Sequence, residues 1–348
     1  MSSAQNSSAP AERFGALLFL SFGGPDGPDD VMPFLRNVTR GRDIPDARLE
    51  AVAEHYYHFG GISPINRLNR DMISALQAEF RNRGTDIEIF FGNRNWEPYA
   101  ADAVDELTAA GHDRALVFPT SAWGGYSACR QYHEDIARVA RDGLLLRKLP
   151  QYCTDPAFRT AAAASVRRAL AHFDDDAAPI RVVFTAHSVP LSADEAGGAR
   201  ADGGHLYSRQ VAAASAAVAA DLGLDGYDLV WQSRSGPPHV PWLEPDVCDH
   251  LEALAADGVR RVVVMPIGFI SDHLEVAWDL DSEAKEVADR LGMTYVRADT
   301  VGTDPGFIAM VADIIERYAD GGGDLTALGV GDNGSFCDHG CCGADSGF

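Results

Sequence analysis

His187, His273 and Glu275 each follow a short apolar, β-branched run in the second half of the chain, in "AHSVP" and "SDHLEVAWDLDSE". An imidazole beside a carboxylate can take up protons near neutral pH or hold a divalent cation briefly. Asp279 and Glu283 follow Glu275 at i+4 and i+8, which on an α-helix predicts one acidic line. Like charges so spaced repel by roughly a few tenths of a kcal/mol per pair. The line is therefore either a solvated acidic face or a ladder of hard oxygen ligands leading a divalent cation toward His187 and Glu275. No zinc-protease H-E-x-x-H and no Walker A sequence occurs, and the turn at Gly23–Gly24–Pro25 is not G-x-G-x-x-G. Nucleotide binding is not expected.

Two further stretches, "HYYHFGGISPINR" (55–67) and "SAWGGYSACRQY" (121–132), are rich in aromatics and glycine. Either they are core and turn, or they wall a cleft for a large, flat, apolar ligand. In the second case Trp123 and Tyr126 would face the ligand, and Ser63, Arg67 and Arg94 would meet its carboxylates. Three of the six cysteines, Cys337, Cys341 and Cys342, fall within six residues. Such clustering points to metal or redox chemistry.

The elements that must position these groups are legible as strand candidates at 16–22, 87–91, 115–119, 144–149, 181–186, 228–232, 261–267 and 294–297. Helical patterns lie between most of them, for example at 100–110, 156–172, 208–222, 245–257 and 274–291. Fully apolar strands alternating with helices predict parallel α/β sheets. The two halves also echo each other. Residues 107–122 resemble 254–269, residues 17–25 resemble 182–190, and "FFGNR" ending at Arg94 resembles "VWQSR" ending at Arg234. These echoes predict duplicated domains, with ligands at the strand carboxyl ends. In that alignment Phe22 matches His187, so the ionisable groups belong to the second copy.

With 348 residues, about 150 per domain predicts two domains. We expect a tail at 1–13, domains at 14–150 and 151–320, and a glycine-rich link with the cysteine tail at 321–348. The net charge of -22 argues against nucleic acid or an anionic membrane surface as a general partner. No apolar run is long enough to span a bilayer, and the first residues lack signal-peptide features, so a cytoplasmic protein is expected.

"AHSVP", "QSRSGPPHVPWLEP", "PIGFISDHLEVAWDLD", "FGGISPINR", "NVTRGR" and "LSFGGPDGPDDVMPFL" resemble the signature segments of ferrochelatases, in the same order, from about residue 16 to 307. The resemblance implies two Rossmann-like, chelatase-type α/β domains with parallel four-stranded sheets around a porphyrin cleft, and insertion of Fe2+ into the ring. Carried over residue by residue, it makes His187, His273 and Glu275 catalytic. His187, Glu275, Asp279 and Glu283 become contacts for the substrate iron, and Phe22, Ser63, Arg67, Arg94, Trp123 and Tyr126 contacts for the porphyrin. Some bacterial relatives have a tyrosine where this chain has Phe22, so a metal contact there is missing. The composition and "SFGGPDGPDDV" resemble the actinobacterial branch, whose substrate is coproporphyrin III. Protoporphyrin IX, or a non-enzymatic tetrapyrrole or metal carrier, remain the alternatives. Transient contacts with upstream and downstream heme-pathway enzymes go with this reading. Some members bind a 2Fe-2S cluster through three C-terminal cysteines and one upstream. Cys337, Cys341 and Cys342 would supply three ligands and Cys153 the fourth, with Cys129 second. Zinc with His339 is the other reading of the tail.

Overall fold

The run at 16–21 has no polar face, and it forms β1 (Ala16–Ser21) with all six residues buried. Such a strand needs neighbours on both edges and cover on both faces. The structure is a computed structural model describing residues 13–173, 178–199, 203–236, 239–320 and 342. In its first lobe β1 is followed by α1 (Val31–Val38), α2 (Asp46–His58), α3 (Ile65–Arg83), β2 (Glu88–Asn93), α4 (Ala100–Ala109) and β3 (Arg114–Pro119). A π-turn at Tyr126–Arg130 then runs into α5 (Gln131–Val139), and β4 (Leu145–Lys148) closes the sheet.

The second lobe repeats this plan. It contains α6 (Pro156–Leu170), β5 (Arg181–His187), α7 (Leu191–Glu195), α8 (Leu206–Leu222), β6 (Tyr227–Gln232), α9 (Val247–Ala256) and β7 (Arg261–Met265). There follow α10 (Leu274–Ala277), a π-turn (Trp278–Glu283), α11 (Ala284–Arg290), β8 (Thr294–Arg297) and α12 (Pro305–Ala319). Both sheets are parallel, ordered β2-β1-β3-β4 and β6-β5-β7-β8. Equivalent strands thus take equivalent places, and the three sequence echoes fall on β1/β5, β2/β6 and β3/β7. The fold is the duplicated α/β architecture expected.

One expectation is corrected. The continuous α-helix predicted over 274–291 is interrupted by the π-turn, because the i, i+4 acidic spacing does not distinguish α from the wider i→i+5 turn. Further helices lie beyond those examples, among them α2, which buries only Leu49 and Ala53, so its apolar stripe is weak.

The main core runs through both lobes, joining Phe19 and Phe118 to Phe158, Phe184 and Phe307. Each such ring contributes roughly 1.5–3 kcal/mol by burial. Although last in the chain, α12 packs on α3 of the first lobe as well as on α6. Arg83 on α3 reinforces that contact by pairing with Glu316 at 2.9 Å. Apart from this core, α1 and α2 share a small cluster of Val31, Phe34, Leu35, Leu49 and Ala53.

Candidate active site

His187 is the last residue of β5, beside Gln232 of β6. Its strand end is fixed from three sides. Ser188 N–H donates to the Gln232 carbonyl at 2.7 Å, Ser188 Oγ to the Leu243 carbonyl at 2.8 Å, and Tyr207 O–H to the His187 carbonyl at 2.9 Å. His187 Nδ1 bonds the Ser188 carbonyl. A carbonyl only accepts, so in the neutral ring Nδ1 carries the hydrogen and Nε2 the lone pair. That lone pair lies 4.0 Å from Glu275 Oε2, with both side chains partly open to solvent.

Glu275 begins the helix after β7, where the positive end of the peptide dipoles favours a carboxylate. His273, expected to be catalytic, is the N-cap of that helix: its Nδ1 accepts from Val276 N–H at 3.4 Å. Burial pushes its imidazole toward the neutral form, with Glu275 opposing. Its geometry is that of a cap which aims Glu275.

Asp279 is buried and accepts from Gln232 Nε2 at 3.2 Å and from Ser233 Oγ. Burial first, and Glu275 second, push its carboxyl up to about 7. Glu283 is exposed at the outer end of the π-turn. Opposite it stand Asp246, raised mainly by burial, and Cys248, whose thiol is pushed up to about 12 by burial and then by Asp246. The acidic series thus runs from exposed Glu283 past buried Asp279 to Glu275 and His187. Among the described residues no three His, Cys, Asp or Glu side chains are grouped so as to hold a metal ion.

From the first lobe comes an aromatic series. Phe22, 38% exposed just past β1, lies edge-on to Phe34 at 6.4 Å, and Phe34 meets Tyr56 at 5.9 Å. Burial, and then the charge of Glu275, raise the Tyr56 hydroxyl. The aromatic series thus runs from Phe22 past β1 through Phe34 on α1 to Tyr56 on α2, whose hydroxyl feels the charge of Glu275. Tyr126, half-buried after Gly124–Gly125, has its hydroxyl raised by burial.

Other expected ligand contacts are placed differently. Trp123 does not face a cleft: it is 2% exposed, and its indole donates to the Gly268 carbonyl at 2.8 Å across the lobes. The aromatic-glycine pattern that suggested a wall reflects close packing between lobes instead. Ser63 is buried beneath the Gly23–Gly24 turn, where a Cβ on Gly24 would come within 2.6 Å of it. Arg67 is exposed and pairs with Asp71 at 3.0 Å. Arg94 pairs with buried Asp135 and donates to Gln131 at 3.0 Å, while its Nη2 is buried without a partner.

Cys153 is buried in the main core, its thiol pushed up to about 12 by burial. Cys342 is also buried, and Cys129 is half-buried beside Gln151. Cys337, Cys341 and His339 lie outside the described residues. Sequence reasoning did not single out Gln232, Ser233, Tyr207, Asp246 or the His55–Trp278 contact; for Gln232 and Ser233, the strand-end position beside His187 was the available signal.

A sequence family described as Ferrochelatase matches residues 15–319. The chain is 56% identical to the coproporphyrin III ferrochelatase of Nocardia farcinica over 337 residues, covering 94% of this chain and 96% of the relative. It is 52% identical to that of Mycolicibacterium vanbaalenii, covering 94% and 99%. The same name belongs to a Corynebacterium glutamicum relative at 48% identity, covering 96% and 93%. Among solved structures, SirB from Bacillus subtilis with Fe3+ superposes with a TM-score of 0.52 at 13% identity, covering 87% of this chain and 95% of that one. CbiX, titled the terminal enzyme for biosynthesis of siroheme in denitrifying bacteria, gives 0.50 at 14% identity, covering 86% and 98%. At such identities these likenesses show the fold. Among the described residues no helix is long and apolar enough to cross a membrane.

Proposed function

The chain belongs to the ferrochelatase family, and on that premise we propose that it inserts Fe2+ into coproporphyrin III, forming coproheme and releasing two protons. The substrate is supported by relatives of that name at 48–56% identity over nearly full length. The observation that carries the chemistry is the His187–Glu275 pair.

The free porphyrin carries two pyrrole N–H groups, and both protons must leave as iron enters. His187 Nε2, with its lone pair open toward Glu275, accepts one pyrrole proton and the Glu275 carboxylate the other, and both protons pass on to solvent. Glu275, Asp279 and Glu283 form the acidic path by which iron reaches the ring; carboxylates suit a cation that must be released again. Phe22 supports the opposite face. Holding the ring out of plane exposes a pyrrole lone pair, which stabilises the transition state relative to the flat substrate. His273 acts through its cap on Glu275. Tyr126, half-buried after the Gly124–Gly125 turn, is a porphyrin contact in this reading, whereas Arg94 organises the first-lobe wall through Asp135.

The test is anaerobic Fe2+ insertion with coproporphyrin III and protoporphyrin IX side by side, read from the porphyrin absorption bands. Faster insertion into coproporphyrin III supports the reading, and a preference for protoporphyrin IX overturns the substrate. Stoichiometric binding without iron-dependent change would make the protein a carrier.

The same reading divides the chain at 14–150 and 151–320, places it in the cytoplasm, and includes transient contacts with neighbouring heme-pathway enzymes. It also assigns Cys153, Cys337, Cys341 and Cys342 to a 2Fe-2S cluster. What supports the cluster is that Cys153 and Cys342 are both buried. A thiol pushed up to about 12, as in Cys153, ionises only beside a cation. When bound, the cluster supplies a one-electron couple and a four-thiolate cross-link. Iron, sulfide and zinc content of the purified protein, compared with Cys153→Ser, tests this assignment without reference to turnover.

A further inference from the structure

The ring of His55 on α2 stacks face to face on Trp278 of the π-turn, with centroids 3.9 Å apart and planes 6° from parallel. His58, one turn on, meets the same indole edge-on at 5.5 Å and 85°. These contacts join the first lobe to the segment carrying Glu275 and Asp279. Otherwise α2 packs on α1 around a small apolar cluster, which Trp96 also joins and which lies apart from the main core. Beside the stack the lobes part around a cavity of about 430 Å3, lined on one side by Phe59, Ile62 and Pro64 and on the other by Leu274 and Ala277.

We propose that the His55–Trp278 stack is a clasp that closes the α1–α2 hairpin over the acidic turn, making both residues positioning residues for iron insertion. Trp278 immediately precedes Asp279 and lies within one turn of Glu275, so whatever holds the indole holds those carboxylates. When α2 is clasped, Tyr56 is brought to Glu275 and Phe34 to Phe22, which sets the width between the aromatic and acidic sides. A stacked aromatic pair of this kind corresponds to a bias of roughly two- to tenfold in a closing equilibrium. The requirement is a flat ring at position 55, not an imidazole nitrogen.

The functional part of this inference rests on the iron-insertion reading, so the test has two arms. In the porphyrin-free protein, amide hydrogen exchange over 46–58 should speed up in His55→Ala and in Trp278→Ala, and stay slow in His55→Phe. In turnover with Fe2+ and coproporphyrin III, His55→Ala should lower kcat roughly two- to tenfold, with a melting temperature close to that of the parent. His55→Phe should restore most of the rate. Unchanged exchange in His55→Ala overturns the clasp, and so does a His55→Phe variant as slow as His55→Ala. If the parent protein inserts no iron, the function fails while the exchange arm still decides the clasp.

Discussion

Nε2 of His187 and Oε2 of Glu275 are 4.0 Å apart, one at the end of β5 and the other in the first turn of α10, the helix that follows β7. Because Nδ1 is engaged by a backbone carbonyl, the ring presents one lone pair, and it points to the carboxylate side. Replacing His187 by alanine removes that lone pair and leaves the apolar wall intact. We expect insertion to fall by about 10²–10⁴-fold, the range for loss of a general base, with porphyrin binding retained. Parallel absorbance titration and turnover would check it; full turnover in the variant would refute the role of His187.

Asp279 → Asn should stabilise the fold while impairing the reaction. The carboxyl has an ordinary value of 3.8 and is pushed up to about 7 in the folded chain. Between those values the folded state keeps a proton that the unfolded state has lost. Stability therefore declines as pH rises through this window, and the full cost is present above about 7. Asparagine can still accept from Gln232 and Ser233 but carries no charge to desolvate. We expect a gain on the order of 2–4 kcal/mol at pH 8 that disappears below pH 4, measured by denaturant unfolding. A higher KM for iron should accompany it.

Much of this arrangement could be read from the residue types, for a physical reason. Runs such as 16–20 and 262–265 are apolar on both faces, and that pattern has few other uses. His187 and Glu275 stood out because ionisable groups broke the apolar pattern at equivalent strand ends. Spacing alone did not convey which way an aromatic turns: Trp123 lies between the lobes, not in a cleft, because its indole finds the Gly268 carbonyl. The π-turn was hidden as well, since Glu275, Asp279 and Glu283 keep the same spacing in either helix type. Nor could a local pattern reveal His55 on Trp278, a contact between helices of different lobes.

Gly268 shows how tightly the site is backed. A Cβ there would lie 2.5 Å from Ala186 Cβ and 2.7 Å from Ala186 Cα, directly behind His187. Gly268→Ala must push β5 or the loop after β7 aside. We expect a loss of roughly 1–3 kcal/mol by urea unfolding, the usual range for overpacking, together with slower insertion. A variant with parent stability and rate would show that the loop yields freely.

Arg94 separates a ligand contact from a structural one. If its guanidinium chiefly met a porphyrin carboxylate, Arg94→Ala would raise the porphyrin KM and leave stability alone. The geometry favours a different outcome. Asp135 is almost wholly buried and is held by Arg94; among the described residues Arg138, at 2.8 Å and largely exposed, is its other ion-pair partner. The Arg94 guanidinium also lies 4.9 Å from the Tyr132 ring centroid. Removing Arg94 leaves a buried carboxylate with one solvated partner, which costs about 3–5 kcal/mol when a buried pair is broken from one side. Removing both charges, in Arg94→Met with Asp135→Leu, should recover much of that loss, because the unpaired charge goes with its partner. Unfolding free energies of the two single variants and the double variant decide the matter, and additive losses would mean that Arg94 and Asp135 act independently.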